Sequence, residues 1–130
     1  MATALAAAGA LVAAAFALGG VAVYAATDDG LSVVAAETRT ARPDVVSLAL
    51  VGAGAAARLV VAERDAVAIL ALGDAAVRVL RSGDSADSVT DLLEEDRRPT
   101  ASPVVRVVAG AAGAALVVAE GGGVERWAGS

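Results

Sequence analysis

Two stretches of this chain carry the same five residues in the same order, Leu59-Val60-Val61-Ala62-Glu63 and Leu116-Val117-Val118-Ala119-Glu120. The match returns at Val67 and Val124, so the copies stay in frame at an offset of 57 without a gap. A shift of 36 towards the N-terminus puts Val23-Tyr24-Ala25-Ala26-Thr27-Asp28-Asp29-Gly30-Leu31 on the same frame. Each copy is an apolar run, a polar or glycine-rich turn, and a second apolar run. The second runs are Leu31 to Ala35, Val67 to Leu72 and Val124 to Trp127. A repeated unit of this length points to a repeat architecture in which neighbours bury one another's apolar faces.

The repeated phrase reads as a β-hairpin. Valine and leucine suit a pleated, buried surface. Asp28-Asp29-Gly30 and Gly121-Gly122-Gly123 are turn sequences, and three glycines inside a helix would cost about 1 kcal/mol each relative to alanine. By analogy Glu63-Arg64-Asp65 is the turn of the second copy. An apolar segment precedes each hairpin, at Ala10 to Leu18, Val45 to Val51 and Val104 to Ala109, and Ala75 to Leu80 follows the second. That makes four short strands per unit. The polar stretch from Asp84 to Pro103 is 20 residues long, and removing it brings the offset of 57 down to 37, close to the other spacing of 36. Residues 1–130 are then a single domain of blade-like units at about 8–42, 43–83 and 104–130, with a polar insertion at 84–103. The expected fold is all-β, made of antiparallel four-stranded blade-like repeats in a propeller-like or open-meander arrangement, with one short inserted helix.

The segments Tyr24 to Leu31 and Val118 to Trp127 resemble the middle-strand hairpins of β-propeller repeat proteins, with the alanine-rich, acidic propellers of halophilic archaea the nearest in character. The resemblance spans about residues 10 to 127. No Trp-Asp dipeptide closes each unit, and one copy alone ends in tryptophan. The resemblance implies a binding or scaffolding role and brings no catalytic residues with it. Propellers close with about four to eight blades, and this chain holds about three units.

The inserted helix is expected over Ser88 to Arg98. Ser88-Val89-Thr90-Asp91 resembles a capping box, Glu94 and Arg98 are an i,i+4 pair in the favourable order, and Pro99 ends the element. Val89, Leu92 and Leu93 give it an apolar stripe. Long insertions between strands often carry function, so Leu92, Leu93, Glu94 and Glu95 are the candidate partner-binding residues. The acidic residues of this stretch do not follow the spacing of a calcium loop.

A rival reading starts from Val51-Gly52-Ala53-Gly54-Ala55-Ala56-Ala57, which matches G-x-G-x-x-A after a strand. In an α/β, Rossmann-like fold, Ala55 to Leu72 becomes a helix whose N-terminus holds a pyrophosphate, and Asp84 sits near the place of a ribose-binding acid. Gly52, Gly54 and Asp84 are the cofactor-binding residues of that alternative. Against it, glycine and alanine make up 50 of 130 residues, so the pattern arises easily by chance. The acids and arginine at positions 63–65 would also spoil a buried helical face.

Composition narrows the function. There is no cysteine, histidine, lysine, asparagine or glutamine. Disulfides, thiolate or histidine metal sites, and histidine triads are therefore excluded. The seven serines have no conventional base. A net charge of −5 with ten scattered arginines disfavours nucleic acid. Residues 1–26 carry no charge and are long enough for a signal or membrane anchor, although thirteen are alanine and no basic residue precedes them. Buried structure is the leading expectation there, with a cytoplasmic chain; a membrane-anchored or secreted protein is the alternative. The expected function is a non-enzymatic binding or structural module with a protein partner or self-association, and without catalytic residues, cofactor or metal.

Overall fold

The computed structural model describes residues 2–8, 11–16, 20–27, 30–36, 45–52, 57–72, 90–100, 102–110 and 114–128. Among them run eleven strands and no helix. They are β1 (Ala2–Ala8), β2 (Leu11–Phe16), β3 (Val21–Thr27), β4 (Gly30–Ala36), β5 (Val45–Val51), β6 (Arg58–Glu63), β7 (Ala66–Leu72), β8 (Thr90–Pro99), β9 (Val104–Ala109), β10 (Ala114–Ala119) and β11 (Val124–Ala128). The chain is all-β, as the hairpin phrase predicts.

Antiparallel pairing builds a first sheet from β1 to β4, a second from β5 to β8 and a third from β9 to β11. A short parallel contact of Ala35 and Ala36 with Thr90 and Asp91 joins β4 to β8, so the first two sheets are continuous in the order β1-β2-β3-β4-β8-β7-β6-β5. Strand β5 lies against β1 on one side and β9 on the other. The leading strands of the three sheets are therefore neighbours.

The second sheet is the middle layer, and its side chains alternate between two cores. Leu48, Leu50, Leu59, Val61, Ala68 and Leu70 face the first sheet, meeting Leu11, Ala13, Val21, Val23 and Val34. The intervening Ala49, Val51, Val60, Ala62 and Val67 face the third sheet, meeting Val104, Val107, Ala115, Val117 and Trp127. A strand buried on both faces must be apolar at successive positions. This is why Leu59-Val60-Val61-Ala62 and Ala66 to Leu72 lack the polar alternation of a half-exposed strand. Ser47 is the polar exception on β5. Its hydroxyl donates to the Val107 carbonyl at 3.3 Å and accepts from the Val107 N–H at 3.1 Å. It thereby satisfies backbone on the side of β9 that pairs with no strand among the described residues.

The turns behave as the repeat predicts. Arg64 and Asp65 turn β6 into β7. Between β10 and β11, Gly121 and Gly122 hold φ of 92° and 90°, a region closed to most side chains. Ala119 closes that turn by donating to Gly123 at 2.8 Å. The Asp28-Asp29 pair lies outside the described residues.

The two offsets relate different strands. The offset of 57 carries β6 and β7 onto β10 and β11, which are second and third in their sheets. The offset of 36 carries β3 and β4 onto β6 and β7, so it matches the third and fourth strands of one sheet to the second and third of the next. The segment expected to open the first unit, Ala10 to Leu18, contains β2, and β1 precedes it. Residues 2–27 supply β1 to β3, and no helix among the described residues is long and apolar enough to cross a membrane.

Two expectations are corrected. The inserted helix is a strand: Thr90–Pro99 forms β8, paired along β7 from Leu72↔Leu92 to Ala66↔Pro99. Strand β7 is buried on both faces and has β6 on one edge, so its other edge needs a ladder. Unpaired buried backbone groups cost about 1–3 kcal/mol each, well above the few tenths contributed by an i,i+4 ion pair. The Rossmann-like alternative also fails. The Gly52 segment connects β5 to β6, which pair antiparallel with Val51↔Arg58 and Leu50↔Leu59, and positions 58–72 of the proposed helix are β6 and β7. The expected strand Ala75 to Leu80 lies outside the described residues.

Replacing Leu70, fully buried between the first two sheets, by alanine is expected to cost about 2–5 kcal/mol in urea unfolding. Val61→Pro breaks the ladder of a strand paired on both sides and removes the cooperative transition, whereas Arg64→Gly in the exposed turn stays within about 0.5 kcal/mol of the parent.

Candidate interaction site

The candidate partner-binding residues lie on β8, and the structure separates them. Register pairs Leu92 with Leu72, and Leu92 is 6% exposed within the core between the first and second sheets. Leu93, one residue on, points the other way and is 55% exposed. Leu92 is thus a core residue, and Leu93, Glu94 and Glu95 form the accessible part. Glu94 and Asp96 oppose Leu70 and Ile69, which leaves Glu95 as the extra residue of a β-bulge. Bulges re-aim side chains, and the Glu95 carboxylate meets Arg58 Nε at 2.6 Å.

Charges along β8 rim both cores. On the side of the first sheet, Arg97 holds Glu63 through two bonds, Nη1 to Oε2 at 2.6 Å and Nη2 to Oε1 at 3.2 Å, with Glu94 at 3.9 Å. On the side of the third sheet, Arg98 Nε donates to Asp96 Oδ2 at 2.9 Å. The Arg98 guanidinium also lies 4.9 Å from the centre of the Trp127 ring. That contact ties β8 to β11 and places a cation on an aromatic face. Most of these carboxylates are already engaged, so the strip is a paired polar edge more than an open binding surface.

A second feature was not legible as a site in the sequence. The link from β8 to β9 is clamped between two hairpin turns. Thr100 N–H donates to the Asp65 carbonyl at 2.9 Å and Val104 N–H to the Arg64 carbonyl at 3.0 Å, while Glu120 N–H donates to the Pro103 carbonyl at 2.8 Å. Beside this clamp lies an open cleft of about 360 Å³. Val104, Val117 and Val124 supply apolar lining, and Thr100, Ser102 and Glu125 supply polar groups. Glu125 pairs in register with Val117, so it projects from the core-facing side of the third sheet. It has no ion-pair partner among the described residues. Thr100 Oγ1 is buried without a hydrogen-bond partner there. The signal available in Val124-Glu125-Arg126-Trp127 was the period of two: a glutamate two residues before a core tryptophan shares its face.

The strand-to-helix turn of the nucleotide alternative is not present among the described residues, where β6 and β7 follow β5. Gly52 is exposed in a hairpin connection with φ of 80°, and Gly54 and Asp84 lie outside the described residues. No group of metal-ligating side chains occurs among the described residues. No family model matches this chain, and no curated protein or solved structure matches it.

The two leucines of β8 give a direct test of the register. Leu92→Ala is expected to lower unfolding stability by about 2–4 kcal/mol, and Leu93→Ala by less than about 0.5 kcal/mol, in parallel urea titrations.

Proposed function

We propose that this chain is a non-enzymatic binding module built from β-propeller-like repeats, and that its cleft beside the β8–β9 link is the binding surface. The observation that carries this reading is the cleft's composition. The Glu125 carboxylate, with no ion-pair partner among the described residues, stands over valines at the end of a double-sided core. Its size falls in the range of small-ligand pockets, about 300–1,000 Å³. A carboxylate above apolar lining suits a cation on an apolar stem, such as a lysine or arginine side chain of a protein partner or a free alkylamine. The exposed Ser102 hydroxyl can accept a hydrogen bond from its N–H groups.

The propeller-like part of the reading is supported by three sheets stacked face to face with their leading strands β1, β5 and β9 side by side. The offset of 57 between equivalent strands of the second and third sheets agrees with it.

Titration with n-butylammonium chloride, followed by amide chemical shifts, tests the site. Shifts are expected at Thr100, Ser102, Val117 and Gly123, weakened at least several-fold in Glu125→Gln and absent with n-butanol. A lysine-containing peptide that shifts the same amides more strongly favours a protein partner over a free amine. Equal responses to butylammonium and butanol, or an undiminished response in Glu125→Gln, overturn the assignment.

A further inference from the structure

The trailing strands of the first two sheets both meet β8. Strand β7 pairs with it from Leu72↔Leu92 to Ala66↔Pro99, and β4 touches it at Ala35 and Ala36. Strand β11 trails the third sheet and pairs only with β10 among the described residues. The bond from the Ala119 N–H to the Gly123 carbonyl sets which of its backbone groups face outward. Antiparallel pairs alternate between hydrogen-bonded and non-hydrogen-bonded. Counting from that bond, Val117↔Glu125 is a hydrogen-bonded pair, while Val118↔Val124 and Leu116↔Arg126 are not. The N–H and C=O groups of Val124 and Arg126 therefore point away from β10, along an edge that can take a strand.

We infer that this edge takes an added strand from a partner, an extended antiparallel segment from outside residues 1–130 with an arginine opposite Glu125 and a carboxylate opposite Arg126. The inference rests on the reading of Glu125 as a cation site and names what brings the cation. The second sheet supplies the template. The offset of 57 carries β7 onto β11, placing Ala68 on Glu125, Ile69 on Arg126 and Leu70 on Trp127. The faces agree: Ala68 and Leu70 look to the first sheet and Trp127 to the second, each towards the sheet before its own. Against β7, β8 sets Arg97 opposite Ala68 and Asp96 opposite Ile69. In the third sheet those two neutral positions are an acid and a base, in the order that complements Asp96-Arg97.

An arginine in that place shares a face with Glu125, because residues directly opposite in a sheet point the same way. That face borders the cleft with Val104 and Val117. The aliphatic stem of the arginine can then cover valine while its guanidinium meets the carboxylate. Arg98, which lies over Trp127 two residues further along β11, is held by Asp96. Strand addition of this kind draws affinity from main-chain hydrogen bonds and selectivity from alternate side chains. The outward groups of Val124 and Arg126 supply the first, and Glu125 and Arg126 the second.

Amide hydrogen exchange of the full, isotope-labelled chain is the test. The probe is a synthetic peptide with the sequence of residues 90–99 and glutamine in place of both glutamates, so that its aspartates and arginines balance. At saturation it is expected to slow exchange of the Val124 and Arg126 amides by about tenfold or more. Its affinity is expected to fall roughly threefold for Glu125→Gln, and equally for a peptide with glutamine in place of Arg97. Affinity returns when Glu125→Arg meets a peptide with glutamate in that place, and each variant keeps the parent far-UV β spectrum. No protection at millimolar peptide overturns the inference, as does protection that neither charge change weakens. Protection of the same amides in the chain alone, growing with its concentration, reports β11 pairing with β11 of a second copy and also overturns it. Butylammonium shifts at Thr100 and Ser102 without peptide protection of β11 retire the added strand and keep the cation site.

Discussion

The structure depends on burial of both faces of the second sheet. Burying one valine or leucine side chain is worth about 1.5–3 kcal/mol. The β5, β6 and β7 strands do so on two sides, against Leu11, Val21 and Val23 on one and Val104, Val107 and Trp127 on the other. The flanking sheets carry many alanines, and an alanine face approaches its partner closely while burying little area per residue. A chain with 36 alanines and three aromatic residues gains cohesion by layering sheets, so that the same strands contribute to two cores.

Layering leaves edges, and the polar residues stand where edges must be managed. Ser47 fills the hydrogen-bonding gap between β5 and β9. Strand β8 closes the ladder of β7 and presents Glu94, Glu95, Asp96, Arg97 and Arg98 outward. A charged outer strand resists pairing with other chains, and its ion pairs are worth little individually in water. Their effect is to hold the rim of each interface, with Arg97–Glu63 on one side and Arg98 over Trp127 on the other.

Much of the fold was legible because hairpins are local. The shared Leu-Val-Val-Ala-Glu phrase, the turns at Arg64–Asp65 and Gly121–Gly123, and the strands beginning near Val45 and Val104 follow from short-range chemistry. Residues 90–98 were misread because their helical signals are also local, whereas the demand that decided them is the open edge of β7. The offset of 36 aligns β3 and β4 with β6 and β7, but it gives no information on which strand of a sheet each occupies. Of the candidate site, Leu93, Glu94 and Glu95 stayed at the surface and Leu92 entered the core. The period of two on β8 separates the two leucines once the element is known to be a strand. The cleft was hidden because Thr100, Ser102 and Glu125 meet only through the clamp on two turns distant in sequence.

By itself the sequence determined the secondary-structure class, the hairpin turns, and the absence of thiol, imidazole and lysine chemistry. Each is set by residue type or by neighbours a few positions apart. Tertiary structure alone decided which sheet lies in the middle, that residues 90–99 extend as a strand, and that Glu125 stands over Val104 and Val117. Those outcomes depend on satisfying backbone groups and apolar faces across sheets, and such pairings are written in no single segment of the chain.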